Sequence, residues 1–120
     1  MARLRLSRPT QADVTHILSL SIARWGAETG RRHAAVVATA LRRVAADPHG
    51  LGTRDRGALV PGLRSLHLRH ARGRGRVGTV RRPVHVIYFR VIAPGLVEIA
   101  RVLHERMEPS GRLGGGEEET

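Results

Sequence analysis

The chain contains no cysteine, which excludes disulfides and thiolate metal sites as supports for its fold. Lysine is absent as well, so all 21 basic side chains are arginine. Aromatic residues are scarce, with one Trp, one Tyr and one Phe, and the core must be built from aliphatic side chains. No stretch approaches the ~18 apolar residues that a membrane-spanning helix requires. Met1–Arg8 is basic but leads into no apolar segment of roughly 7–15 residues, so no secretory signal is indicated. The expected location is the cytoplasm, with no membrane association. Acidic residues are missing from the whole window between Asp55 and Glu98. No serine stands in a recognisable nucleophile context and no paired carboxylates lie on the expected strands, so hydrolase chemistry of those kinds has no footing.

What is present bounds the rest. At 120 residues, 41% of them apolar, the chain fits one domain with one modest core. The formal net charge is +11. Its positive field should draw nucleic acid or an acidic protein surface, chiefly by speeding encounter. An excess of Arg, Ala and Gly without Lys is also what a GC-rich coding sequence produces, so charge alone selects neither partner.

Hydrophobic periodicity gives the element order. Arg3–Ser7 alternates with period two and suits a short half-buried strand. Pro9 and Thr10 open a helix, with Thr10 and Asp13 at capping-box spacing. Val14, Ile17, Leu18, Ile22 and Trp25 form its apolar stripe, which makes Trp25 read as a core anchor. Gly26 stops this helix. A second helix runs from about Ala27 to Ala46, weakened by Gly30 in its first turns and ended by Asp47-Pro48. So short a break folds the two helices back as a hairpin. His49–Gly62, with four glycines and Pro61, reads as a loop. Leu63–Arg69 reads as a strand, Val84–Ile92 as a strand buried on both faces, and Leu96–Leu103 as its hairpin partner across Ala93-Pro94-Gly95. Gly111–Thr120 is polar and glycine-rich. The predicted fold is α+β, with the order β-α-α-β-β-β: an N-terminal strand, a helical hairpin and a three-stranded antiparallel sheet. The folded unit is expected over 1–109, with 110–120 a flexible tail.

Three local motifs need weighing. Gly73-Arg74-Gly75-Arg76-Val77-Gly78 matches the dinucleotide-binding G-x-G-x-x-G, but Pro83 and a strand follow where a helix is required, so the match is accidental. Its content is a basic connection carrying Arg72, Arg74, Arg76, Arg81 and Arg82, expected to be electrostatically sticky. His67 and His70 are the closest histidine pair, and a spacing of three puts strand neighbours on opposite faces, so no metal site is expected. His104-Glu105-Arg106 could supply a base, an acid and a phosphate clamp, although neighbours on a strand point apart.

Five segments in order carry a resemblance. Ala23-Arg24-Trp25-Gly26, Ala45-Ala46-Asp47-Pro48, Pro61-Gly62-Leu63-Arg64-Ser65, Val84–Val91 and Ile99–Met107 resemble the helix ends, strand entry and closing strands of the ParE branch of the RelE/ParE toxins. The resemblance spans about Leu4 to Pro109. It implies the toxin half of a type II toxin–antitoxin pair, associated with plasmid stabilisation and growth arrest. A small ParD-like antitoxin would neutralise it, and operator DNA would be bound only through that antitoxin. ParE toxins inhibit DNA gyrase, whereas RelE toxins cut messenger RNA on the ribosome, and the shared fold cannot choose between them. In the RelE reading, Arg64, Arg90 and Arg101 would be the cations and His104 the base. No Tyr, Phe or Trp follows Phe89, so the C-terminal stacking residue of that branch is lacking, which favours the ParE reading. A third possibility, a basic nucleic-acid-binding module, would want aromatics interleaved with the arginines, and the basic connection has none. By resemblance, target contact falls on Arg101, His104, Arg106 and Met107. The antitoxin surface is expected across the hairpin and the sheet edge, at Leu18, Ile22, Trp25 and Arg90. Arg101 is also expected to share an apolar face with Val97, Ile99 and Leu103, where it must pair or reach water. No cofactor is implied.

Overall fold

A computed structural model describes residues 1–71 and 82–113. Arg72, Arg74, Arg76 and Arg81 of the basic connection lie outside the described residues. The order is β1 (Arg3–Leu6), α1 (Arg8–Trp25), α2 (Ala27–Ala46), β2 (Thr53–Asp55), β3 (Arg64–His67), a 3-10 turn at Leu68–Ala71, β4 (His85–Ala93), β5 (Leu96–His104) and a short helix α3 (Ser110–Leu113). The α+β class with grouped helices is as the sequence implies. The sheet has five strands rather than three, ordered β1-β5-β4-β3-β2. β1 does not stand apart from it: the strand runs parallel to β5, with Leu4 opposite Val97. The three-residue β2 pairs antiparallel with β3 inside the segment read as loop; it is too short to show alternation among the glycines around it. The expected Leu63–Arg69 strand also ends early, at His67, where the 3-10 turn begins.

The helical hairpin covers one face of this sheet. Ile17 from α1, Val36, Val37, Ala40 and Val44 from α2, and Leu66, Ile87, Phe89, Val97, Ile99 and Val102 from the strands form the main core. A smaller cluster on the other face unites Leu63, Tyr88 and Leu103, with Leu113 of α3 packed against it. β4 is not buried throughout: Ile87, Tyr88 and Phe89 are, but Val91 near the turn is exposed.

The start of α1 differs from the expected capping box. Ser7 is the N-cap, and its Oγ accepts the Thr10 N–H. Thr10 instead donates its hydroxyl to the Ile99 carbonyl, and the Ser7 hydroxyl reaches the Ala100 carbonyl. These bonds satisfy β5 where β1 stops pairing with it, so the first turn of α1 serves as the sheet's continuation. Asp13 is thereby released for another role, described below.

Gly26 joins the helices at φ +92°, a left-handed value that ends α1 and starts α2. Gly30 is a contact, not merely a weak helix former. A Cβ there would lie 2.4 Å from Ile22 Cγ1, so the absence of a side chain lets α1 and α2 approach. Gly30→Ala is therefore expected to cost about 1 kcal/mol in urea unfolding, although alanine favours helices by about that amount. A stabilised variant would show that Ile22 rotates aside freely.

Candidate partner-binding groove

The buried residues of α1 are Thr10, Ile17 and Ser21, a face rotated from the stripe that ends in Trp25. Spacings of three and four run along both, but α1 is held to the sheet by its polar N-terminal turn, and Thr10 and Ser21 take core positions. Trp25 is left 62% exposed, together with Ile22 and Leu20. It is not a core anchor.

Past the Asp13 contact with β5, α1 and the sheet enclose a groove of about 890 Å³. Ile17, Leu20 and Trp25 line it from α1, Val84 and His85 from the start of β4, and His104 and Met107 from the end of β5. Arg24 and Arg82 stand among its lining residues, and none of the described lining residues is acidic.

Its floor is a histidine row. His85 pairs with His104 across the hairpin, ring centroids 5.6 Å apart, and His33 of α2 lies 5.7 Å from His85. Burial pushes the His85 pKa down to about 4, helped by the proximity of His33 and His104, and burial also lowers that of His33. Both rings are neutral at pH 7. His33 Nε2, His85 Nδ1 and Ser21 Oγ are buried with no hydrogen-bond partner among the described residues. The sequence reading missed these three residues. Counting back from the Ala93–Leu96 end of the hairpin would have brought His85 opposite His104, but nothing in the pattern of α2 indicated that His33 faces them.

The side chains of His104-Glu105-Arg106 do not converge on one site. His104 turns into the groove, while Glu105 pairs with His67 Nε2 at 2.6 Å, a hydrogen bond that holds its carboxyl below the usual range. Arg106 is exposed, and its N–H donates to His104 Nδ1. His67 and His70 do not diverge: because β3 ends at His67, the turn brings His70 to the same small polar pocket, which also takes Arg54, Arg56 and Arg69.

Arg101 does not share a face with Val97 and Ile99. The register shifts so that Tyr88 faces Arg101 while Phe89 faces Ile99, making Ala100 a bulge that inverts the alternation. Val102 joins the main core in consequence, and Arg101 meets Asp13 through Nε–Oδ2 and Nη2–Oδ1 bonds of 2.8 Å each. Asp13 Oδ2 also accepts the Val102 N–H, and Arg101 Nη1 reaches the Arg112 carbonyl. Arg64 opposes Phe89 and is held by the Pro48 carbonyl and the Thr53 hydroxyl. Arg90 faces Glu98 in the register and contacts its carboxylate. The four residues of the ribonuclease reading are thus divided: Arg64 and His104 on the helix side, Arg90 and Arg101 on the other. Of the antitoxin set, Ile22 and Trp25 are exposed and Leu18 half-buried on α1, whereas Arg90 lies away from them across the sheet.

With this geometry fixed, comparison with known proteins is decisive. The family model for the ParE toxin of the type II toxin–antitoxin system parDE matches residues 4–109. The chain belongs to the ParE toxin family. Toxin ParE1 of Caulobacter vibrioides is 33% identical over 114 residues, covering 95% of this chain and all of that one. Toxin ParE1 of Mycobacterium tuberculosis is 29% identical over 112 residues, 93% of this chain and 98% of the relative. The fold also matches a solved chain of the chromosomal ParDE system from P. aeruginosa, with a TM-score of 0.57 and 21% identity over 87% of this chain and 96% of that one. The ParE match begins in β1 and ends just before α3, so among the described residues it takes in all five strands and both long helices. The chain is a type II toxin. Among the described residues, no helix is long and apolar enough to cross a membrane.

Proposed function

We propose that this toxin arrests growth by inhibiting DNA gyrase, and that a ParD-like antitoxin silences it by filling the groove between α1 and the end of β5. One observation carries the reading. Leu20 and Trp25 of the hairpin and His104 and Met107 of the strand end line the same groove. A partner seated on the exposed apolar side chains would cover residues assigned to target contact, so neutralisation follows from occlusion without any change of shape. His104, Arg106 and Met107 then meet the target, and Arg101, tied to Asp13, positions the strand end. Leu18, Ile22 and Trp25 belong to the antitoxin surface. Operator DNA is reached only through the antitoxin. Residues 1–109 form the toxin unit in this reading, and the remainder is accessory.

The division of Arg64, Arg90, Arg101 and His104 between two sheet faces supports the gyrase reading over ribosome-dependent RNA cleavage, which needs its cations and base to converge on one phosphate. Expression alone should arrest bacterial growth, with replication failing before messenger RNA is lost, and coexpression of the neighbouring antitoxin gene should relieve it. His104→Ala should weaken target binding by about 1–2 kcal/mol and leave the protein toxic when overexpressed. Rapid codon-specific cleavage of messenger RNA with replication unaffected, and a drop of about 10²–10⁴ in that cleavage on His104→Ala, would replace this reading with the ribonuclease one.

A further inference from the structure

The groove is apolar along its walls but unfinished at its floor. Ser21 and His33 are only 1% and 9% exposed, yet among the described residues Ser21 Oγ and His33 Nε2 have no partner, and neither has the buried His85 Nδ1. The three atoms belong to α1, α2 and β4, so three separate elements bring polar groups without a described partner to the lining of one groove. Native interiors pair such groups almost without exception, and a lone one carries a standing desolvation cost. A ligand that supplied the missing partner would remove that cost.

The surroundings specify its charge. Among the described residues no lining residue is acidic, and Arg24 and Arg82 have no acidic partner. His16 and Arg24 face the groove from α1, Arg82 precedes β4, and His104 faces it from β5. Glu105, the carboxylate that acts on His85, is already held by His67. An apolar side chain alone would fill the volume and leave the floor unsatisfied, and a cation would be repelled.

We infer that the antitoxin's neutralising segment inserts an Asp or Glu carboxylate, flanked by an apolar side chain, onto Ser21, His33 and His85, and that a proton is taken up by this histidine pair as it binds. The inference rests on the antitoxin occupying the groove, as proposed above. Its physical basis is the change of surroundings. In the free toxin burial lowers the pKa of both rings, and for His85 the proximity of His33 and His104 adds to it. A carboxylate placed against them favours the imidazolium and raises the histidine pKa in the complex. The complex then holds more protons than its separated parts, so affinity rises as pH falls between the bound and free values. Insertion of an amide or an apolar plug would leave the histidines neutral and the affinity flat.

The test is calorimetric titration of the toxin with the full-length antitoxin encoded beside it, at pH 8, 7 and 6, in two buffers of different ionisation enthalpy. The expected result is net proton uptake and an affinity gain of about threefold to tenfold from pH 8 to pH 6, the range for partial uptake of one proton. His33→Gln should weaken the complex and diminish that uptake. Histidine-ring NMR of the unaltered toxin, free and in the complex, provides a measurement that no folding defect can confuse. The His33 or His85 ring should titrate at a higher pH when bound. A tight complex with no proton uptake and unmoved histidine titrations overturns this inference and leaves the groove reading standing. A complex whose formation does not protect Trp25 or the histidine rings overturns the groove reading itself.

Discussion

Asp13→Ala is expected to destabilise the fold by about 3 kcal/mol, a value set by the partly buried ion pair it removes. The carboxylate holds three hydrogen bonds at once: two from Arg101 and one from the Val102 N–H. The Asp13 and Arg101 side chains are only 14% and 23% exposed, so water cannot fully replace either partner. An exposed pair would contribute about 0–1 kcal/mol, and this one differs by its bidentate geometry and by the strand amide it also satisfies. Removing the carboxylate leaves Arg101 and an edge amide of β5 with unmet hydrogen-bonding demand beside the bulge at Ala100. Asp13→Asn keeps one acceptor and should cost less, about 1.5 kcal/mol. The double variant Asp13→Ala/Arg101→Ala should be more stable than the sum of its single changes implies, because the second removal takes away the guanidinium whose carboxylate is gone. Urea denaturation of all four proteins measures this. A loss below about 1 kcal/mol for Asp13→Ala would show the contact to be an ordinary surface pair and would free Arg101 for direct contact with the target.

That pair also shows where sequence reasoning reached and where it stopped. The helical hairpin, its Gly26 break and the β4–β5 hairpin were legible, because each is written in local periodicity and turn chemistry. So was the need for Arg101 to find a partner. Its partner was not: Asp13 lies on α1, and its spacing from Thr10 suggested a cap that Ser7 provides instead. Single-residue events hid the remainder. The bulge at Ala100 reverses which side chains of β5 share a face, and a period-two reading has no way to register an inserted residue. The parallel pairing of β1 and the three-residue β2 depend on tertiary neighbours, not on their own sequence. Trp25 was misplaced for a related reason. Several stripes of α1 satisfy helical spacing, and the one that meets the sheet is chosen by polar bonds at the first turn, made by Ser7 and Thr10.

The exposure of Trp25 leads to the other large expected effect. Trp25→Ala should weaken antitoxin binding by about 3 kcal/mol, near a hundredfold, since large aromatics at the centre of apolar grooves are the usual anchors of an interface. The same change should alter the stability of the free toxin by less than about 1 kcal/mol, because the ring makes few core contacts to lose. A core residue would show the reverse, with a large loss of stability and little effect on binding by the protein that still folds. Trp25→Phe should recover part of the affinity by restoring apolar area in the groove. The cellular outcome separates two roles that share this surface. If Trp25 serves the antitoxin, the variant escapes neutralisation, and cells coexpressing both proteins should stop growing where those with the unaltered pair survive. If it serves the target, the variant should instead be less toxic when expressed alone and remain bound by the antitoxin. Growth curves with and without the antitoxin gene, read beside the binding constant of the purified pair, decide between them. Escape combined with weakened binding is the expected pattern, because Trp25 stands on the hairpin wall of the groove while His104 and Met107, the residues assigned to the target, stand on the opposite wall.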